Sequence, residues 1–335
     1  LRMLARLSFD KAVRQAELAA LAAVLTFVIP VIIRKSGRLR NLYWLYGAAG
    51  FGLLAVVFIA GSITHGAKLS ITVYGITLQP SELVKVLFVF FVAGMLHEAV
   101  DFKRIVLTSA LAAAHVLLLV VSKDLGAALI FFVTYLVMLY VASRQPLYFL
   151  GGLLAGSAAA WVAWKLFAHV QTRVLAWSDP FSVIDKEGYQ IAQSLFAIGT
   201  GGWFGLGINQ GMPYKIPVVE QDFIFSAIAE EMGILFALLL IFIYLSSFYM
   251  ILNIAIVLKD SYYKLVAVGL GTLMIFQVFL SIGGVTKFIP STGVTLPFVS
   301  YGGSSLPDAF CEAPVRWDQK GLRKGFPDRS DHLRP

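Results

Sequence analysis

The sequence predicts an all-α, polytopic membrane protein, and three observations predict it. Apolar residues make up 59% of the 335 positions and charged residues only 14%, against roughly 45–50% and about 25% in soluble domains. Those apolar residues gather into runs close to the roughly 20 positions that a helix needs to cross a bilayer. The 29 glycines are scattered through the runs, as suits helices that approach closely in lipid, and this favours helices over a barrel. The formal charge of +8 does not point to nucleic acid, because the basic residues sit in short connections between apolar runs. A single cysteine, Cys311, excludes an intrachain disulfide and a CxxC metal site.

Eight runs are candidate membrane helices: about 17 to 33, 42 to 61, 81 to 97, 105 to 121, 125 to 142, 148 to 167, 225 to 252 and 265 to 283. The segment 34 to 40 holds four basic residues, and Lys103 with Arg104, Arg144, and Lys259 with Lys264 mark every second connection after it. These connections are expected in the cytoplasm. The alternate ones, 62 to 80, 122 to 124, 168 to 222 and 284 to 306, then face outward; they hold six basic residues, Lys68, Lys123, Arg173, Lys186, Lys215 and Lys287. Residues 1 to 16 resist the scheme, since alternation places them outside although they carry Arg2, Arg6, Lys11 and Arg14. The chain opens on Leu1 rather than Met, and an absent upstream helix reconciles both observations. From Pro307 onward, 11 of 29 residues are charged and four are proline, so 1 to 306 is expected as the membrane domain and 307 to 335 as a disordered polar tail without a further helix.

Two outer segments are candidates for chemistry. Lys287 to Leu306 is irregular, with Pro290 and Pro297, and sets the hydroxyls of Ser291, Thr292, Thr295, Ser300, Tyr301, Ser304 and Ser305 beside the Lys287 ammonium. That composition suits a diphosphate or a sugar; an ordinary connecting loop is the other reading. Segment 168 to 222 is too long for a simple connection. It contains a short amphipathic helix at Tyr189 to Ile198, then GTGGWFGLG from Gly199 to Gly207, which is no dinucleotide site because no βαβ pattern surrounds it. Trp161, Trp164, Trp177 and Trp203 read as interfacial anchors.

Charges at or inside apolar helices narrow the choice. Glu82 and Lys85 are spaced i and i+3 at a helix start, either a structural ion pair or a hold on an anionic headgroup. Lys123 and Asp124 separate two apolar runs, and Asp124 is placed to cap the second. Asp222 closes the long outer segment immediately before Phe223, where it reads as a general base at a low-dielectric boundary or as an N-cap. Glu230 and Glu231 fall about two turns deeper, where at least one should face the protein interior or a water-filled cavity, to support the site or pair with a cation.

QPSELVK (79 to 85), KDLGAAL (123 to 129), the stretch from Tyr189-Gln190 to Gly207, EQDFIFSAIAEEMG (220 to 233) and KFIPSTGVTLPFVSYGGSS (287 to 305) together resemble the FtsW/RodA/SpoVE family, the SEDS peptidoglycan glycosyltransferases. The resemblance implies a ten-helix protein, of which the eight runs match the second to ninth. It further implies polymerisation of lipid II, the undecaprenyl-diphosphate-linked disaccharide pentapeptide, on the outer face of the bacterial cytoplasmic membrane, beside a class B penicillin-binding protein that crosslinks the strands. The family's catalytic aspartate falls on Asp222. Glu82, Lys85, Lys123, Asp124, Arg173, Lys287, Ser291, Thr292 and Ser300 are then candidates for the walls of the substrate cavity. Lys123 departs from the family pattern, which often reads proline there. The tail after Leu306 replaces an expected last helix, and a truncated, frameshifted gene is the explanation this suggests.

The chemistry so implied needs a base for the acceptor hydroxyl, for which Asp222 is the candidate, and positive charge for the departing diphosphate, for which Lys85, Lys123, Arg173 and Lys287 are candidates. No cofactor is demanded. A divalent cation, magnesium or manganese, near Asp124 or Asp222 fits the chemistry, though no ligand cluster in the sequence requires one. A lipid II flippase, or a non-catalytic scaffold of the cell-wall machinery, is compatible with the same residues. Division, elongation and sporulation roles share these motifs.

Overall fold

The computed structural model describes residues 2–17, 19–20, 24, 39–64, 67–73, 76–98 and 101–301. The expected helix at 17 to 33 and the tail from Pro307 lie almost wholly or wholly outside these residues. Ten α-helices with defined bounds follow one another: α1 (Arg2–Leu7), α2 (Tyr43–Ala60), α3 (Pro80–Leu96), α4 (Phe102–Val121), α5 (Leu125–Ser143), α6 (Pro146–Leu166), α7 (Ala168–Ser178), α8 (Tyr189–Gly201), α9 (Ile224–Val257) and α10 (Ser261–Val285). The chain is helical again over 9–17.

Among the described residues, six helices are long and apolar enough to cross a membrane: α2 with the turn before it, α4, α5, α6, α9 and α10. The chain is an integral membrane protein. Helix α3 has 17 residues, about 26 Å at 1.5 Å per residue, and lies buried among the others. Its central place is visible in Phe88, Phe91, Val89 and Val92, which pack with Phe131 and Met138 of α5 and Leu265 and Leu273 of α10.

Local chemistry sets several helix starts. Pro80 and Pro146 open α3 and α6, where a missing N–H costs nothing. Asp260 caps α10 by accepting from the Tyr262 N–H at 2.8 Å. In α9 the backbone breaks at Gly233, whose φ of 82° and ψ of 171° belong to a region open to glycine.

Not all of the fold is helical. The outer segment expected as a loop at 62 to 80 contains a small antiparallel meander, β1 (Ser62–Thr64), β2 (Ala67–Val73) and β3 (Ile76–Leu78), in that order. Ser62 pairs with Ser70, and Ile71 with Leu78. The β-branched residues of KLSITV and ITL account for it.

Both ends of the bundle carry ion pairs. At one end Arg40 meets Asp260 at 3.5 Å and Arg104 meets Glu98 at 3.1 Å. At the other, the starts of α3 and α5, helix α7 and the loop after α10 converge. The N-terminal segment joins this second end: Lys11 pairs with Glu220 and Arg6 with Glu231, each at 2.5 Å.

Candidate functional site

Loop 287–301 is built into the protein by its backbone. Arg173 of α7 donates to the carbonyls of Thr292 at 3.0 Å and Ser291 at 3.4 Å. The Trp177 indole donates to the Lys287 carbonyl at 3.1 Å, so this tryptophan ties α7 to the loop. Gln277 of α10 donates to the Thr295 carbonyl at 3.1 Å, and Tyr244 of α9 donates to that of Pro297. The Tyr301 N–H donates to the Glu220 carbonyl at 2.7 Å. A strapped loop of this kind holds its position without regular secondary structure.

Ser300 is part of that strapping. Its hydroxyl is buried, donates to the Gln221 carbonyl and accepts from the Leu296 N–H at 2.8 Å. It therefore faces the segment that carries Asp222 from within the protein. Of the other expected loop residues, Ser291 and Thr292 present carbonyls to Arg173, and the Thr292 hydroxyl is buried without a hydrogen-bond partner among the described residues. Lys287, with a positive φ of 60°, offers its carbonyl to Trp177.

Below the loop lies a small polar pocket lined by Gln79, Glu82, Lys85, Asp124, Gly293, Val294 and Thr295. The i, i+3 spacing of Glu82 and Lys85 works as the sequence suggests, with Nζ 2.7 Å from the Glu82 carboxylate. Lys85 is only 1% exposed and also donates to Gln277 at 2.6 Å, which links α3 to α10 and, through Gln277, to the loop. Gln277 was not foreseen, although one glutamine within the apolar 25 residues of α10 is a legible signal.

Asp124 caps α5, accepting from the Ala127 N–H at 3.0 Å through Oδ1. Its Oδ2 is buried without a hydrogen-bond partner among the described residues. Burial pushes this carboxyl above its ordinary value and Glu82 adds to the rise, against the Ala127 N–H, Lys85 and Arg173. Two residues on, a Cβ at Gly126 would stand 2.4 Å from the Val294 side chain and 3.1 Å from the Thr292 carbonyl; only glycine lets the loop lie this close. Lys123 is exposed and adopts a positive φ of 65° at the turn.

Asp222 stands on the loop's other flank. A Cβ built on Gly293 would lie 3.6 Å from Asp222 Oδ2 and 3.9 Å from Arg173 Nη2. Carboxylate, guanidinium and loop backbone thus meet at one glycine. The N-cap reading does not hold, because Phe223 occupies the cap position of α9 and makes no side-chain cap. Burial draws Arg173 below its ordinary value while the charges of Asp124 and Asp222 work against that shift.

Sequence reasoning missed His169, one helical turn before Arg173. Its Nε2 is buried without a hydrogen-bond partner among the described residues. Burial first, then Arg173 and Lys123, hold it below the ordinary histidine value. Glu230 and Glu231 brace the outer segment: Glu230 accepts from the Met212 N–H at 2.9 Å, and Glu231 pairs with Arg6, which also donates to the Gly211 carbonyl at 2.8 Å.

Among the described residues no three His, Cys, Asp or Glu side chains gather as a metal site. The pocket offers the carboxylates of Glu82 and Asp124 beside the Lys85 ammonium. A divalent cation there competes with that ammonium for oxygen ligands, so the donor set does not fit one well.

The comparisons with known proteins agree with this geometry. The family model FTSW_RODA_SPOVE, described as cell cycle protein, matches residues 3–311. The peptidoglycan glycosyltransferase RodA of Mycobacterium tuberculosis (strain ATCC 25618 / H37Rv) is 37% identical over 311 residues, which are 86% of this chain and 64% of that protein. Stage V sporulation protein E of Bacillus subtilis (strain 168) is 34% identical over 270 residues, 76% of this chain and 72% of that protein. Among solved structures, a chain from a study of polymerization and crosslinking by a peptidoglycan synthase complex superposes with a TM-score of 0.78 at 26% identity, covering 93% of this chain and 90% of that one. RodA of Thermus thermophilus shares the fold with a TM-score of 0.65 at 24% identity, covering 90% of this chain and 84% of that one. The chain spans about two thirds of the length of the mycobacterial relatives it matches, 64% in the case above. With the family's motifs converging on one end of a helical bundle of the same fold, the chain belongs to the FtsW/RodA/SpoVE family.

Proposed function

We propose that this chain polymerises lipid II into glycan strands at the outer face of the bacterial cytoplasmic membrane, alongside a class B penicillin-binding protein. The observation that carries the reading is the meeting of Asp222, Arg173 and the backbone of loop 287–301 at Gly293, directly above the pocket of Asp124 and Lys85. The names of the relatives, peptidoglycan glycosyltransferases among them, supply the substrate class.

In this reading Asp222 accepts the proton of the acceptor sugar's 4-hydroxyl as its oxygen attacks the donor's anomeric carbon. The bond from that carbon to the diphosphate oxygen breaks, and undecaprenyl diphosphate leaves with the electron pair. Positive charge must meet the charge that develops on the leaving oxygen. Arg173 is the best-placed cation, held by two loop carbonyls and meeting Asp222 at Gly293; exposed Lys123 is the second. Lys85 is enclosed by Glu82 and Gln277 and serves better to position the pocket wall. Ser300 supports the segment of Asp222, and the lining is left to Glu82, Asp124, Ser291, Thr292 and Lys287.

A flippase would need its charged positions to line a passage through the bundle. Here, among the described residues, the charged side chains lie at the two ends, and the depth of the bundle between them is filled by Phe88, Phe91, Phe131 and Leu265. The test is turnover by the purified protein reconstituted with lipid II. Polymer is expected, and lipid II transfer between leaflets without polymer would overturn the proposal.

A further inference from the structure

From Tyr189 to Tyr214 the chain runs 26 residues without a charge, inside the long connection between the spans α6 and α9. Its path explains why. Helix α8 runs beside the start of α9 in the same direction: the Ser194 and Ser226 hydroxyls lie 2.6 Å apart, and further along a Cβ at Gly201 would touch the Ala229 carbonyl. Both elements reach the level of Gly233. There α8 ends and the chain turns back through Trp203 to Gly207.

At that turn the backbone of α9 exchanges partners with the hairpin. In an unbroken helix the N–H groups of Ile234 and Leu235 would donate to the carbonyls of Glu230 and Glu231. Instead Ile234 donates to the Gly202 carbonyl at 2.9 Å and Leu235 to that of Trp203 at 3.3 Å. The two freed carbonyls accept from Leu206 at 2.9 Å and Gly207 at 3.0 Å. All four groups released by the break are satisfied within the protein, which is the condition for irregular backbone at membrane depth. The left-handed φ of Gly205 and Gly233, 81° and 82°, permits this close exchange.

The depth follows from helix rise. From Val257 at its end back to Leu235, α9 spans 22 steps, about 33 Å at 1.5 Å each, which matches the roughly 30 Å of bilayer hydrocarbon. Residues 224–231 are buried, whereas Leu235, Phe236, Leu238 and Leu239 are exposed and apolar. The lipid-facing part of α9 therefore begins at the hairpin's tip. At that tip Trp203 is 67% and Phe204 83% exposed, an aromatic pair at a membrane boundary.

We propose that residues 189–214 form a re-entrant hairpin whose tip, Trp203 and Phe204, sits in the acyl-chain boundary of the leaflet on the site's side of the membrane. Its ligand is lipid, and the hairpin fixes the height of the outer segment that leads to Asp222. This holds whatever reaction the site performs.

The test places a nitroxide at Phe204→Cys in a Cys311→Ser protein reconstituted into phosphatidylethanolamine/phosphatidylglycerol vesicles. Lys186→Cys and Leu239→Cys provide a water-side and a lipid-side reference. Collision with molecular oxygen is expected to exceed collision with a water-soluble nickel chelate at 204, as at 239 and opposite to 186. Trp203→Cys is expected to repeat the result, so that one poorly folding variant leaves the question answerable. Nickel access at both tip positions like that at 186 would put the tip in water and overturn the proposal. A label shielded from both reagents would mean that a protein surface covers the tip, which overturns it equally.

Discussion

Arg173 holds two carbonyls of an irregular loop, and its guanidinium and the Asp222 carboxylate both approach Gly293. Both bonds come from Nη1, so a lysine keeps a donor there but loses the guanidinium's second nitrogen, Nη2, which stands at Gly293. Arg173→Lys is expected to cost about 2 kcal/mol, roughly 30-fold in lipid II turnover, with a smaller effect on stability. Asp124 makes a different prediction. Its folded value is raised, so the native protein keeps a proton that the unfolded chain releases, and stability falls as pH climbs from the ordinary carboxylate value through the raised one. Asp124→Asn keeps an N-cap of equal quality and lacks that slope. Its melting temperature relative to the parent is expected to rise as pH climbs above the ordinary carboxylate value, as thermal scans in detergent will show; a constant difference would deny the shift. Ser300→Ala leaves the Gln221 carbonyl and Leu296 N–H without their shared hydroxyl, a loss of about 1–3 kcal/mol to be read in the same scans.

The elements around the site are held by a few polar ties of unequal strength. Arg6 and Glu231 form a buried pair, with side chains 17% and 0% exposed, whereas Lys11 and Glu220 are 39% and 21% exposed. Lys11 and local hydrogen bonds hold the Glu220 carboxyl low, against the opposing effect of burial. Removing Arg6 leaves a buried charge alone, so Arg6→Met is expected to destabilise by about 3 kcal/mol, with part recovered on adding Glu231→Gln. Lys11→Met should cost no more than about 1 kcal/mol. A double-mutant cycle by thermal unfolding checks both. The break in α9 is equally specific. A Cβ on Gly233 would stand 2.4 Å from the Gly205 nitrogen, while one on Gly199 meets nothing within 4 Å. Gly233→Ala is expected to lower the folded yield sharply, and Gly199→Ala to be neutral or stabilising by up to about 1 kcal/mol.

At the scale of the whole molecule, what was legible follows the range of the forces. Helices such as α4, α5 and α10 were readable because bilayer thickness imposes a long apolar run, and their ends fall within a few residues of expectation. Asp124, Arg173, Asp222 and Gly293 come from connections that the alternation of basic residues put on one side, and they lie close together at one end of the bundle. The meander at 62–78, helix α7 and the exchange at Gly233 were not legible, since each depends on partners distant in sequence. Asp222 was singled out by its boundary position and the family motif. Arg173 gained its central place only when α7 brought it against loop 287–301, and His169 and Gln277 emerged in the same way. Lys85 lines the pocket while paired with Glu82 and Gln277, and Ser300 is hydrogen-bonded between the loop and the segment of Asp222. The central claim is that Asp222 removes the acceptor proton at this junction. The direct test is lipid II polymerisation and lipid II binding by reconstituted Asp222→Asn protein beside the parent. The account predicts polymer lost by at least about 100-fold with binding retained; polymer formed at the parental rate would contradict it.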